Sequence, residues 1–189
     1  MTLREIPSER ATLDRIARGL RLVTAPLPHL AGLAATVVVS IVDVAASWIQ
    51  ATMGVQPLWF HSFPTLLAAV ANEVVGLPNA MWVGWLFHFV SGVLILGSVF
   101  GILCPRLPTD TPETKGIFFA VGAWLVMMLT IMPLHPQLGV FGIGAGFGTV
   151  IWMLLTHVLF GIVLGAVYAR QVERERRAAH AATSSAAHA

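Results

Sequence analysis

Four long apolar stretches dominate the chain, at about 30–53, 79–103, 116–132 and 149–169, with polar residues confined to the segments between and around them. Each stretch is near the ~20 residues that carry a helix across a ~30 Å hydrocarbon core, the third being at the short end. In lipid every backbone polar group must be satisfied within the protein, so these stretches predict transmembrane helices. Ahead of them, residues 8–23 place Leu13, Ile16, Leu20 and Val23 at helical spacing, with Arg10, Arg15, Arg18 and Arg21 elsewhere on the wheel. That is the pattern of a basic amphipathic helix lying on anionic lipid or on a partner subunit.

The connections set an orientation. All basic residues fall before the first stretch (Arg4, Arg10, Arg15, Arg18, Arg21), between the second and third (Arg106, Lys115) or after the fourth (Arg170, Arg174, Arg176, Arg177). By the positive-inside rule both termini are cytoplasmic. The expected architecture is an all-α integral membrane protein. It has a cytoplasmic arm (1–27), a four-helix bundle (28–170) and a disordered cytoplasmic tail (171–189). Within 54–78, Pro64 and Pro78 bracket a short helix, Thr65–Val75, expected to lie on the outer interface. The segment 133–148 is glycine-rich, but no strand precedes it and no Lys-Ser/Thr closes it, so it reads as packing loop rather than phosphate loop. The charged N-terminus lacks the pattern of a cleaved signal peptide, and the first span is expected to serve as the insertion signal.

Composition narrows the function classes. The 189 residues are 57% hydrophobic and 11% charged, with a mean hydropathy of +0.80, against about 25% charged residues in soluble domains. A net charge of +2 with no basic stripe excludes nucleic acid as an expected partner. The single cysteine, Cys104, allows no internal disulfide.

Ionisable residues inside a membrane are functional candidates by default. Asp43, His88 and His157 each lie roughly eight to ten residues from the outer end of a span and share a level. The second and fourth spans also echo each other: His88-x-x-x-Gly92 and His157-x-x-x-Gly161, with Trp82 and Trp152 upstream. This predicts two hairpins related by a pseudo-twofold along the membrane normal. A glycine one turn from each histidine suggests a flat space, so His88 and His157 are candidate axial ligands of a b-type haem, with Asp43 as a proton or ligand-orienting group. The competing reading is structural, an internal polar tie between helices. A proton or quinone role is a third. Near the outer surface, His61 and His135 with Met128 and Met132 form a candidate soft ligand set for copper. No hydrolase or transferase constellation is present, and a transporter reading lacks ionisable residues in the cytoplasmic half of the spans. Trp48, Trp59, Trp82, Trp85 and Trp152 read as interfacial anchors, and Trp124 as core.

Three groups of residues carry a resemblance: Trp85-Leu-Phe-His88-Phe-Val-Ser-Gly92; Lys115-Gly116 through Trp124 to Met132-Pro133; and His157-Val-Leu-Phe-Gly161 with Gly165-Ala-Val-Tyr168. Through them the chain resembles an uncharacterised family of small four-helix membrane proteins of bacteria and archaea, which implies residence in the cytoplasmic (inner) membrane. Its members look like companions of respiratory oxidases. The resemblance thus implies an accessory subunit of a larger respiratory or electron-transfer complex, whose partners are larger membrane subunits and lipid. It brings no catalytic residues.

Overall fold

The structure, a computed structural model, describes residues 26–55 and 59–187. The amphipathic arm expected at 8–23, and His188, lie outside the described residues. Among the described residues there are five helices: α1 (Pro26–Thr52), α2 (Phe63–Val75), α3 (Met81–Arg106), α4 (Pro112–Leu134) and α5 (Phe147–Ala187). A 3-10 segment, Val140–Ala145, joins α4 to α5. The helices α1, α3, α4 and α5 contain segments long and apolar enough to span a membrane, with mean hydropathies of 2.0 to 2.3. Ile41, Trp48, Leu94, Ile95, Val126, Leu129 and Leu155 point outward, as the lipid-facing side of such a bundle requires.

Local sequence accounts for the boundaries. Thr111 caps α4 by accepting from Thr114 N–H at 3.3 Å; Pro112 follows at the first helical position and Glu113 sits in the first turn. The third span therefore starts before Gly116 and is longer than its apolar run suggests. The C-terminal end of α2 is closed by Gly76 in the left-handed region (φ 67°), with its N–H donated to the Asn72 carbonyl at 3.0 Å. The helix α5 does not stop at Ala169. It continues to Ala187 through a stretch expected to be a disordered tail, because alanine and arginine are strong helix formers and the preceding span supplies the nucleus. The Arg177–Glu173 pair, 2.7 Å apart one turn from each other, is exposed, and its hydrogen bond holds the Glu173 carboxyl below the ordinary value.

In the packing, α1 lies against α3 and α5, and α5 against α4. At the end carrying Arg106, Lys115 and Arg170, here termed the basic end, the wholly buried Phe100 of α3 meets Phe119 of α4 and Tyr168 of α5, with ring centroids 5.3 and 5.4 Å apart. Lys115 Nζ there donates to the Cys104 carbonyl at 3.3 Å. At the opposite end the segment 59–64 fills the gap between α1, α3 and α5.

Two sets of close backbone contacts repeat. A Cβ on Gly32 of α1 would crowd the carbonyl of Gly92 on α3, and one on Gly97 would crowd the carbonyl of Pro28. In the second half, a Cβ on Gly116 of α4 would overlap the carbonyl of Gly161 on α5, and one on Gly165 that of Pro112. The motif is thus Pro-x-x-x-Gly on the first helix of each pair and His-x-x-x-Gly followed by a second glycine on the other. The expected relation between the two hairpins has a contact-level basis. The copies differ by one residue: Gly92 to Gly97 is one longer than Gly161 to Gly165. That extra residue falls where α3 becomes π-helical, Val90–Leu96, the usual way a helix absorbs a single insertion.

Candidate functional site

One face of α1 carries Thr36, Ser40, Asp43, Ser47 and Gln50, spaced four and three residues apart, so they form a polar seam along the helix. Thr36, Ser40, Asp43 and Gln50 are buried, and Ser47 Oγ is buried without a partner among the described residues.

Three seam residues, Ser40, Asp43 and Gln50, tie α1 to other elements, while the Thr36 hydroxyl donates to the Gly32 carbonyl of its own helix. Gln50 Oε1 accepts from the backbone N–H of Trp59 at 2.6 Å and of Phe60 at 3.3 Å, while its Nε2 donates to the Phe60 carbonyl at 3.2 Å. Thr149 of α5 accepts from His61 N–H at 3.1 Å and donates to the Ala145 carbonyl. Phe60 stacks on Trp152 with centroids 4.3 Å apart. The chain from 59 to 64 is drawn in between the helices, and the Pro64 carbonyl lies where any side chain on Gly84 would stand. The helix expected on the outer interface therefore has its first turn inserted, with Phe63, Pro64 and Leu66 buried. The apolar start of α2 and the exposed Val74 and Val75 at its other end give it this inclination.

Asp43 is nine residues inside α1 from Thr52, about 13 Å along the helix. Its Oδ1 accepts from Trp152 Nε1 at 2.9 Å, and the backbone amide of Phe63 faces the same carboxyl group. Ser62, at the N-cap of α2, makes no side-chain bond to the helix backbone. Asp43 thus places a carboxyl group facing the start of α2, where the N–H groups are free and the dipole is positive. One side chain joins α1, α2 and α5. Trp152, expected as an interfacial anchor, is instead an internal donor, whereas Trp48, Trp59 and Trp82 are exposed.

His88 Nε2 lies 3.1 Å from Ser40 Oγ. Its ring stacks on Phe63 (5.4 Å, 23°) and meets the edges of Trp85 and Phe89. His157 Nδ1 lies 2.7 Å from the Met153 carbonyl one turn earlier. Phe63 lies against both Asp43 and His88, its amide facing the carboxyl group and its ring stacked on the imidazole, whereas the hydrogen bond of His157 stays within its own helix. The flat space expected beside each histidine is taken up: Thr36 occupies the place next to Gly92, and the Gly116 backbone the place next to Gly161.

At the loop end, Met128 and Met132 are wholly buried and their sulfurs approach Gly142. His135 is half-buried and its Nδ1 accepts from Gln137 N–H at 3.3 Å; His61 is held through its backbone. Among the described residues no group of three or more His, Cys, Asp or Glu side chains converges. Phe141 has a left-handed φ of 60° with its ring 6.0 Å from that of Trp124, whose Nε1 is buried without a partner. Sequence reading singled out Asp43, His88 and His157 but missed Ser40, Gln50, Thr149 and Phe63. The spacing of polar residues along α1 was the available signal for Ser40 and Gln50; nothing local marks the other two.

Fold and seam together define a small all-α membrane protein of four long apolar helices, with its polar interior gathered along one central helix. The chain belongs to a family of unknown function (DUF6789), whose model matches residues 25–179. No curated protein and no solved structure matches it.

Proposed function

We propose that the protein is a non-catalytic accessory subunit of a larger membrane complex, with both termini cytoplasmic. The observation that carries this reading is that Ser40, Asp43, Gln50, Trp152 and Thr149, buried or half-buried polar groups between the helices, are engaged in bonds joining one element to another. A buried network used in this way rigidifies a scaffold. Segment 57–76 and the arm 8–23 are the parts assigned to contacts with larger subunits. Respiratory or electron-transfer complexes are the class of partner that the family resemblance suggests.

The test is purification of the tagged protein from its native membrane in a mild detergent, followed by native electrophoresis and a dithionite-reduced minus oxidised visible spectrum. Co-migration with larger membrane subunits supports the accessory role, and a stable solitary monomer refutes it. The spectrum also reads out the haem alternative. His157 is held as an axial ligand would be, one ring N–H on a carbonyl. Sharp Soret and alpha bands that disappear in both His88→Ala and His157→Ala would replace the accessory reading with a small b-type cytochrome exchanging electrons with quinone. Metal analysis of the same sample tests copper at His61, His135, Met128 and Met132.

A further inference from the structure

Six Lys and Arg residues fall among the described residues, all at the basic end: Arg106, Lys115, Arg170, Arg174, Arg176 and Arg177. Three of them are turned onto the protein. The Arg106 guanidinium donates to the Ile102 carbonyl at 3.1 Å, Lys115 Nζ to the Cys104 carbonyl at 3.3 Å, and Arg177 Nε to the Glu173 carboxyl group at 2.7 Å. Arg170 and Arg174 are exposed and make no hydrogen bond or ion pair among the described residues. Arg170, Arg174 and Arg177 follow one another at intervals of four and three residues and so share one face of α5. With Ala169 and Glu173 they line a single open cleft. Because Glu173 is matched by Arg177, the cleft keeps two uncompensated positive charges. Arg176 is outside it, about 160° around the helix from Arg174.

Depth decides what the cleft meets. From Phe147 to Ala169 α5 carries no charged residue, and Arg170 is the first. A helix crosses a ~30 Å hydrocarbon core in ~20 residues, so with the exposed Phe147 at one boundary the core ends near Val167 and Tyr168. Arg170 and Arg174 then lie about 35 and 40 Å along the helix from Phe147, in the headgroup layer and at its edge. Side chains on a helix lean toward its N-terminus, which for α5 is the membrane side, so the Arg174 side chain inclines back to the level of Arg170. A guanidinium can give two parallel hydrogen bonds to phosphate oxygens, and two guanidinium groups one turn apart can grip one phosphate between them. We propose that Arg170 and Arg174 form a binding site for the phosphodiester headgroup of an anionic phospholipid, whose acyl chains lie alongside the span. A free phosphate ion has the same oxygens but lacks the chains that would hold it at this depth. The proposal depends neither on the accessory-subunit reading nor on which side of the membrane the termini occupy, since every group in it belongs to α5.

The experiment is native mass spectrometry of the full chain released from detergent micelles, titrated with dioleoyl phosphatidylglycerol and, in separate samples, with dioleoyl phosphatidylcholine, whose phosphate is balanced by its own cation. The expected result is discrete lipid adducts, with phosphatidylglycerol bound more tightly by about fivefold or more. Arg170→Gln and Arg174→Gln should each weaken phosphatidylglycerol binding about fivefold, the effect of one arginine at a lipid surface, and Arg176→Gln by less than about twofold. Arg176→Gln removes the same charge from the far side of the helix. Equal losses for Arg174→Gln and Arg176→Gln would therefore mean that net charge alone is read, and would overturn the site; so would equal affinity of the parent for the two lipids. Millimolar inorganic phosphate should leave the adducts in place, and their displacement overturns the assignment to lipid. All three arginines are exposed beyond the span, so the variants should unfold in SDS as the parent does, which separates lost binding from lost structure.

Discussion

Replacing Asp43 with alanine removes the acceptor for Trp152 Nε1 and the carboxyl group facing the first turn of α2 in one step. Each buried donor left without a partner costs about 1–3 kcal/mol. Hydrogen bonds between membrane helices measured by double-mutant cycles average only ~0.6 kcal/mol, with ~1.7 at the upper end, because the unfolded chain in the membrane finds other partners. Asp43 falls toward the upper end, since its carboxyl group serves an indole and a helix terminus in a site that is 1% exposed. The expected loss for Asp43→Ala is about 2–4 kcal/mol, and for Asp43→Asn, which keeps one carbonyl oxygen for the indole, about 1–2 kcal/mol. Trp152→Phe should cost about 1–2 kcal/mol and couple to Asp43→Ala by about 1–2 kcal/mol in a double-mutant cycle. Unfolding in mixed detergent and SDS micelles, followed by far-UV circular dichroism, measures all four species. A coupling energy below about 0.5 kcal/mol would refute the role given to the Asp43–Trp152 bond.

Gly116→Ala should destabilise by at least about 1–3 kcal/mol, since its Cβ meets the rigid backbone of Gly161, whereas Gly122→Ala, with open space around it, should gain about 0.5–1 kcal/mol in the same unfolding assay. Gln50→Leu should release the backbone of Trp59 and Phe60, raising amide hydrogen exchange at 59–61 while leaving the basic end unchanged. Deleting Leu94 restores in α3 the spacing found in α5; the variant should fold, and amide hydrogen-bond couplings should show regular α-helix through 90–96.

The four spans were legible because lipid makes a single demand, apolar length, that the sequence displays openly. Pro112 and Thr111 show how a helix can begin ahead of its apolar run, and Ala178 to Ala187 how it can run on after it, since both ends depend on capping and propensity rather than hydropathy. The level shared by Asp43, His88 and His157 follows from counting residues, and in the structure Asp43 and His88 both lie against Phe63. Their partners did not follow. Ser40 faces His88 because α1 and α3 close on Gly32 and Gly92, and Trp152 faces Asp43 because α5 packs on the other side of α1. Such angles around a helix are set by backbone contacts between chain segments far apart in sequence. The glycines beside the histidines were visible from the start, but an empty place next to a glycine cannot be told from a filled one without knowing which helix lies there.

The inward-drawn segment 59–64 also fixes an order of assembly. Its anchors come from both ends of the chain: Gln50 is made before it, but Gly148, Thr149 and Trp152 are made some ninety residues later. During synthesis the first two spans must wait, with Asp43 lacking its indole and the start of α2 unseated, until the last span enters the membrane. The chain therefore cannot mature span by span. Its central polar bond closes last, and a truncated or stalled chain would expose an unmatched carboxyl group inside the bilayer, a feature by which quality-control machinery can tell an unfinished molecule from a complete one.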